Sequence, residues 1–200
     1  MIEALAVLRA RGLVAPPTEA LYGLLVDATE PSAVDALFAA KPRGHDQGVP
    51  LLLPDAGAWA PLVLEIPPLA ARLARAFWPG PLTIALPAAA GVDPRLTRDG
   101  MVAVRWPAAS PAADLARALG RPLTATSANL PGAPPARTGA EVRASLRTPP
   151  DLPFFVVEGA AVGGVPSTVV SIEGRRCRLV RLGAIAEADL LRVLDAPCRD

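Results

Sequence analysis

Short apolar runs alternate with amphipathic segments along the whole chain, and this alternation predicts a sheet flanked by helices. Prolines at helix starts and glycines after helix ends mark several boundaries. The predicted helices span residues 1–11, 31–40, 67–77, 111–119, 140–146 and 186–194. The predicted strands span residues 13–15, 24–26, 51–53, 82–86, 101–106, 123–126, 154–157, 169–172 and 177–181, the last two as a hairpin. The pattern therefore favours a mixed α/β fold over an all-α or all-β fold.

Composition and charge narrow the class of protein. The chain has 200 residues, 52% of them hydrophobic, with 20 basic and 19 acidic side chains. We expect a single domain over residues 1–200 with a full hydrophobic core. The formal charge of +1 excludes a disordered polyelectrolyte and a globally basic nucleic-acid coat protein. Any site for an anion must therefore be local.

Two cysteines and one histidine give neither a disulfide framework nor a multi-histidine metal site, so no protein metal site is predicted. The charged residues Glu3, Arg9 and Arg11 near the start of the chain do not fit a signal peptide. The longest uncharged stretch, residues 77–92, contains prolines and is too short to span a membrane. We therefore expect a cytoplasmic protein with no membrane segment.

Cationic positions are almost all arginine, with 19 arginines and one lysine, Lys41. A compact ammonium with three donors differs from a planar guanidinium, so Lys41 is a candidate for a site that needs a point charge. The alternative is chance survival at the end of the predicted helix 31–40, where a cation suits the helix dipole. Arg43 follows in the same segment.

Polar side chains lie close to the ends of several predicted strands: Thr18, Ser127, Asn129 and Ser167. In open sheets, ligands collect at the carboxyl ends of strands, so Thr18 with the following Tyr22 and the Ser127–Asn129 group can face one crevice. The alternative is that Thr18, Ser127 and Ser167 are turn or cap residues, a common use of Ser and Thr.

Two arginines lie in apolar strands, Arg105 inside one and Arg181 at the end of another. A cation in such a strand is costly unless it is paired. Either these arginines meet structural acids such as Asp27 or Asp114, or they point into a cavity that binds an anion. The guanidinium group suits both phosphate and carboxylate.

Familiar catalytic signatures are absent from the sequence. No glycine-rich Walker loop precedes Lys41, and no Gly-x-Gly-x-x-Gly follows a strand. Nor does the chain contain a Gly-x-Ser-x-Gly elbow or a His-Glu-x-x-His helix. A phosphate site in this protein must be built in another way.

Seven groups of short motifs follow one another along the chain, and their order is as informative as their residues. They are Pro-Thr-Glu at 17–19 with Tyr-Gly-Leu at 22–24, Lys-Pro-Arg at 41–43, Trp-Pro-Gly-Pro-Leu-Thr at 78–83, Val-Arg-Trp-Pro at 104–107, Thr-Ser-Ala-Asn at 126–129, Pro-Ser-Thr-Val-Val at 166–170 and Arg-Leu-Gly-Ala-Ile at 181–185. Together they resemble the YrdC-like threonylcarbamoyl-AMP synthase family over about residues 13–194. Each motif alone is a weak signal, but their common order makes coincidence very improbable.

The resemblance implies a twisted mixed β-sheet flanked by helices, around a large electropositive concave cavity. It also implies a reaction in which L-threonine, bicarbonate and ATP give threonylcarbamoyl-AMP and diphosphate, with Mg²⁺ on the phosphates. A complex of partner proteins would then pass the threonylcarbamoyl group to tRNA.

The resemblance also implies roles for particular residues. Lys41 and Arg43 would be the catalytic groups, acting on the triphosphate and the reacting carbamate. Thr18, Arg105 and Ser167 would bind threonine, with Arg105 on its carboxylate. ATP would be bound by five residues: Arg43, Ala125 through its backbone, Ser127, Asn129 and Arg181.

Three positions depart from the family pattern. The loop 44–49 is longer than the usual spacing, Pro54 stands where several relatives have a histidine near threonine, and Pro131 replaces a common serine. The longer spacing changes how residues 44–49 align with the family. Pro54 also lacks the imidazole group that the histidine places near threonine.

Two other functions remain open from the sequence. Carbamoyltransferases of hydrogenase maturation and of antibiotic synthesis contain a similar domain, together with further modules that 200 residues do not hold. A non-catalytic module binding double-stranded RNA would use the same basic concavity and tolerate the loss of one cation. The charge of +1 lends that module little support.

Overall fold

The computed structural model describes residues 1–18, 20–42, 48–130, 132–146, 148–159, 161 and 163–195. Six α-helices occur in this described part of the chain: α1 (Ile2–Arg9), α2 (Pro31–Ala40), α3 (Pro68–Phe77), α4 (Pro111–Leu119), α5 (Gly139–Ser145) and α6 (Glu187–Asp195). The strands are β1 (Leu13–Ala15), β2 (Gly23–Leu24), β3 (Leu51–Leu52), β4 (Leu82–Pro87), β5 (Met101–Arg105), β6 (Leu123–Thr124), β7 (Thr126–Ser127), β8 (Phe154–Val156), β9 (Thr168–Glu173) and β10 (Arg176–Arg181).

The predicted helices are all present, and their ends agree to within two residues. Sequence signals explain several of these ends: a proline opens α2, α3 and α4, and Gly120 ends α4 with a φ of 72°. The single strand predicted over residues 123–126 is wrong. It is divided at Ala125 because β6 pairs with β3 whereas β7 pairs with β2.

The main sheet is mixed, as the sequence predicts. It has six strands in the order β10-β9-β4-β5-β3-β6. The pairs β4–β9 and β3–β5 are parallel, and the pairs β9–β10, β4–β5 and β3–β6 are antiparallel. The predicted hairpin of β9 and β10 is confirmed, with Arg176 opposite Glu173.

The central strands of this sheet have two different faces. Successive side chains of a strand point to opposite faces. On one face Leu82, Ile84 and Leu86 of β4 are fully buried in the larger core cluster, together with residues of α2 and α3. The other face carries smaller and more polar residues, among them Thr83 and Ala85. The second face therefore leaves space for a cavity.

The remaining helices pack around this frame. A second, smaller apolar cluster joins α1 and α4 to β1, β3 and β6. Helices α3 and α6 pack against each other, where Arg72 Nη2 donates a hydrogen bond to Leu194 O at 2.7 Å. None of the helices within the described residues has the length and apolarity needed to cross a membrane.

Two short pairs of strands complete the fold. β1 pairs in parallel with β8, while β2 pairs antiparallel with β7. In the second pair Gly23 lies opposite Ser127 and Leu24 lies opposite Thr126. This pairing brings a motif near the start of the chain against one more than a hundred residues later.

Hydrogen bonds of Thr168, at the start of β9, hold the segment that follows β10. Its Oγ1 accepts hydrogen bonds from Gly183 N at 2.9 Å and Ile185 N at 3.0 Å, and donates to Ile185 O at 2.8 Å. Gly183 lies so close to the neighbouring backbone that an added Cβ would stand 2.3 Å from Pro166 O. Only glycine fits this position without a shift of the backbone.

We therefore expect Gly183→Ala to lower the free energy of unfolding by about 2 kcal/mol, because the new methyl group overpacks the Pro166–Ser167 backbone. Urea denaturation followed by circular dichroism measures this change. Gly91→Ala is the matched control, since a Cβ at Gly91 has no atom within 4 Å. Equal stability of the two variants would contradict the close packing of Gly183.

Candidate active site

A cavity of about 450 Å³ lies against the second face of the central sheet. Its walls are the exposed sides of β4, β5 and β9, the β2–β7 pair, and the start of α4. A volume of this size suits a small ligand or cofactor. The lining includes six of the residues singled out in the sequence: Thr18, Arg105, Ala125, Ser127, Ser167 and Arg181.

The Trp-Pro-Gly-Pro-Leu-Thr motif orients Arg105. Arg105 ends β5, and its Nε donates to Gly80 O at 2.8 Å. Gly80 is itself held by a hydrogen bond from its N–H to Trp106 O at 2.9 Å, and Trp78 Nε1 donates to Leu82 O at 2.7 Å. The loop before β4 thus aims a guanidinium group at the cavity.

Arg181 is held in a similar way by the loop before β9. Its Nη2 donates to Ser167 O at 2.9 Å and to Ser167 Oγ at 3.3 Å. Ser167 Oγ also shares a hydrogen bond of 2.9 Å with Thr83 Oγ1, in which either hydroxyl can be the donor. Ser167 and Thr83 are only 8% and 2% exposed.

The structural acids considered as partners for these arginines lie elsewhere. Asp27 pairs with Arg121 at 3.0 Å, and that hydrogen bond is the main cause of a raised pKa of Arg121. Asp114 pairs with Arg117 at 2.8 Å. The alternative that Asp27 or Asp114 pairs with Arg105 or Arg181 is therefore wrong, and both arginines line the cavity instead.

Lys41 forms a buried network at the C-terminal end of α2. Its Nζ donates to Ser127 O at 2.6 Å, to Ser127 Oγ at 3.1 Å and to Asn129 Oδ1 at 3.1 Å. Asn129 Nδ2 donates in turn to Ala133 O at 2.6 Å. Lys41 is 6% exposed, and Ser127 is the member of this network that lines the cavity among the described residues. Lys41 and Asn129 stand behind it.

Thr18 stabilises a turn with its own hydroxyl group. Thr18 Oγ1 donates to Leu21 O at 2.6 Å and accepts from the N–H groups of Ala20 and Leu21. The interpretation of Thr18 as a turn residue is therefore correct for its hydroxyl group, although Thr18 also lines the cavity. Ala125 lines it too, with its N–H donating to Pro50 O at 2.7 Å.

Other expectations fall outside this geometry. Arg43 and residues 44–47 lie outside the described residues, and so does Pro131. Pro54 is buried and is not among the cavity-lining residues of the described chain. The roles inferred for Arg43 and for the loop therefore stay predictions.

The other lining residues include Tyr22, which the sequence placed beside Thr18, and also Thr83 and Ser110, which sequence reasoning missed. Tyr22 is fully buried, its hydroxyl oxygen lies 2.8 Å from Gly159 O and 3.0 Å from Val157 O, and burial raises its pKa. Ser110 caps α4 by accepting from Ala113 N at 3.2 Å. The strand alternation around Thr83 was a usable signal, because the apolar Leu82 and Ile84 on either side of it point to the other face.

Comparison with known proteins begins with the fold. The chain superimposes on E. coli YciO with a TM-score of 0.75 at 23% identity, covering 91% of this chain and 88% of that one. It also matches the crystal structure of Pyrococcus abyssi Sua5 complexed with L-threonine, with a TM-score of 0.86 and 33% identity. That match covers 96% of this chain and 56% of the archaeal chain, so this chain spans about half the length of that relative.

The fold is thus that of the Sua5 and YciO class of mixed α/β proteins. In sequence, the chain is 43% identical over 141 residues to a threonylcarbamoyl-AMP synthase of Idiomarina loihiensis, a match covering 66% of this chain and 73% of the relative. The family Sua5_yciO_yrdC, described as "Telomere recombination", matches residues 6–183. The protein belongs to this Sua5/YciO/YrdC family.

The buried network predicts a structural cost for losing the lysine. Lys41→Ala should lower the free energy of unfolding by about 2 kcal/mol, because it leaves the buried Oδ1 of Asn129 and the half-buried oxygens of Ser127 without their charged donor. Urea denaturation measures the loss. Arg117→Ala is the control, because it removes an exposed cation whose pairing contributes about 0 to 1 kcal/mol. Wild-type stability of Lys41→Ala would show that the network does not support the fold.

Proposed function

We propose that the protein is a threonylcarbamoyl-AMP synthase, which makes threonylcarbamoyl-AMP and diphosphate from L-threonine, bicarbonate and ATP. One observation carries this proposal: residues from six of the seven motif groups meet in one cavity, in a member of a family with relatives of that name. The relative solved with L-threonine, P. abyssi Sua5, shares the fold.

The reaction joins three anionic or polar reactants. The amine of threonine attacks the carbon of bicarbonate, and loss of water leaves a carbamate. An oxygen of the carbamate then attacks the α-phosphorus of ATP, and the bond to diphosphate breaks. Such chemistry asks a protein mainly for positioning and for stabilisation of negative charge.

Threonine binding is assigned to Arg105, with Thr18 and Ser167 beside it. The guanidinium group of Arg105 lines the cavity and would hold the carboxylate of threonine. Because Thr18 Oγ1 is engaged in its turn, Thr18 would contribute to the shape of the pocket there. Ser167 presents a hydroxyl group on the same wall.

ATP binding is assigned to a second group of residues at the cavity. Arg181, Ser127 and the backbone of Ala125 line it and would contact the nucleotide. Lys41 and Asn129 support Ser127 from behind, so the ammonium group of Lys41 would act on the phosphates next to the hydroxyl that it holds. Arg43 is proposed to complete the cationic group.

Mg²⁺ is proposed to enter with ATP. Among the described residues, no group of three metal-ligating side chains is found, and the lining of the cavity includes no carboxylate. The described residues therefore do not fit a protein-held Mg²⁺ site. On this proposal the phosphate oxygens of ATP supply the ligands.

The product is proposed to serve tRNA modification in the cytoplasm. A mixed carbamic–phosphoric anhydride is an activated acyl group, so a second protein or complex that transfers threonylcarbamoyl to tRNA would consume it. Direct RNA binding by this chain is the alternative function, and the activity test below distinguishes it from adenylate synthesis.

We expect purified protein incubated with ATP, Mg²⁺, L-threonine and ¹⁴C-labelled bicarbonate to form a labelled adenylate and diphosphate. Thin-layer chromatography of the products and a diphosphate assay measure the two outcomes. Both products should require threonine and bicarbonate together, because the carbamate is the nucleophile.

Omitting bicarbonate from carbonate-depleted buffer is the control. Diphosphate release that continues undiminished without bicarbonate would contradict the mechanism. RNA binding without adenylate formation would favour the binding module, and adenylate formation only from carbamoyl phosphate would favour a carbamoyltransferase.

Arg105→Met should weaken threonine binding by roughly 2 to 5 kcal/mol, the range for losing one partner of a buried charge pair. Isothermal titration calorimetry with L-threonine measures this loss. Arg75→Met is the control, because Arg75 is exposed on α3 and is not among the described cavity-lining residues. Unchanged threonine affinity in Arg105→Met would refute the carboxylate assignment.

A further inference from the structure

Thr83 is a buried polar residue of the cavity to which no role has yet been assigned. Its side chain is 2% exposed and lines the cavity next to Ser167. The two hydroxyl oxygens lie 2.9 Å apart. Within the described residues, Thr83 Oγ1 forms its hydrogen bond with Ser167. A buried polar group of this kind requires a physical explanation.

The number of protons in this pair is informative. Each hydroxyl group carries one proton and two lone pairs. The mutual hydrogen bond uses one of the two protons, whichever residue donates it. Arg181 Nη2 adds a donor to Ser167 Oγ and no acceptor. Within the described contacts, the second hydroxyl proton therefore lacks an acceptor, although both groups face the cavity.

The neighbouring hydroxyl of Thr18 is in a different state. Thr18 Oγ1 donates its one proton to Leu21 O and accepts from two N–H groups. It has no proton left for a ligand unless the turn opens. Among these three hydroxyl groups, the Thr83–Ser167 pair is the one with a proton available for a ligand.

The position of this pair relative to Arg105 sets the size of ligand that can reach both. In the β4–β5 register Ile84 lies opposite Val104 and Ala85 opposite Ala103. The paired positions end at Ile84 and Val104, and the next residue of each strand, Thr83 and Arg105, lines the cavity. Extending the register by one step would place these two residues opposite each other. Side chains so opposed have Cβ atoms about 5 Å apart. A carboxylate on Arg105 and a second polar group on Thr83 can therefore belong to one small amino acid.

We propose that Thr83, paired with Ser167, binds the β-hydroxyl group of the substrate amino acid and makes the site selective for hydroxyl-bearing substrates. A hydroxyl ligand both donates and accepts, and the pair offers one proton and free lone pairs. The proposal rests on the proposed function for the placement of threonine on Arg105.

The test compares L-threonine with L-2-aminobutyrate, which has hydrogen in place of the β-hydroxyl group. Wild-type protein should bind threonine about 10- to 100-fold more tightly, and its kcat/KM should show the same preference. Thr83→Val keeps the branched shape and removes the hydroxyl group, so this preference should fall to within about threefold. The loss should arise from weaker threonine binding, with 2-aminobutyrate unaffected.

Two variants provide controls. Thr83→Ser retains the hydroxyl group and should keep the threonine preference. Thr97→Val makes the same chemical change at a residue whose hydroxyl donates to Pro94 O and which is not among the described lining residues. It should behave as wild type. If Thr83→Val does not fold, Thr83→Ala removes the same hydroxyl group and takes its place.

Calorimetry without ATP separates this inference from the proposed function. Loss of the threonine preference in Thr83→Val, in a protein that forms no adenylate, would support the hydroxyl site and refute the synthase. Equal wild-type affinity for threonine and 2-aminobutyrate would overturn the hydroxyl site. So would an equal loss of affinity for both ligands in Thr83→Val, because Thr83 would then only support the wall.

Discussion

The different chemistry of the two faces of β4, β5 and β9 is the constraint on which the site depends. On one face, large aliphatic side chains such as Leu82, Ile84 and Val104 pack against the helices and fix the strands. On the other face, small residues such as Ala85 and Ala103 leave room above the sheet. A well-packed interior tolerates few voids. The space therefore has to lie on the face that large residues do not fill, and there it forms the cavity.

The buried carboxylate of Asp27 and the arginines at the cavity have different hydrogen-bond partners. Asp27 is buried, but Arg121 and the N–H and hydroxyl of Thr29 satisfy its carboxylate, and it is not among the described lining residues. Two arginines at the cavity are oriented by backbone carbonyl groups: Arg105 Nε donates to Gly80 O, and Arg181 Nη2 donates to Ser167 O. A guanidinium group held in a fixed direction suits a carboxylate or phosphate ligand.

Much of the fold was accessible from the sequence because apolar periodicity and proline or glycine boundaries are local signals. The helix over residues 111–119 is an example, since Ser110 and Gly120 mark both of its ends. The division of strand 123–126 was not accessible, because it depends on which partner each half pairs with. The motif order indicated the family, and the strand ends indicated three of the cavity residues, Thr18, Ser127 and Ser167. Burial of Lys41 was missed, since a helix-end lysine is usually solvated and its network closes only through Ser127 and Asn129.

The hydroxyl groups around the cavity show why residue type alone does not define a binding role. Thr18, Thr83 and Thr168 are chemically identical, yet their protons have different destinations. Thr18 and Thr168 donate to backbone carbonyls of Leu21 and Ile185 and so stabilise turns. Thr83 has a second hydroxyl group as its recorded neighbour, so the pair retains a proton for a ligand. The tertiary pairing of β4 with β9 creates that difference, because it brings Ser167 beside Thr83. Selectivity at this wall is therefore a property of the sheet register and not of any one motif.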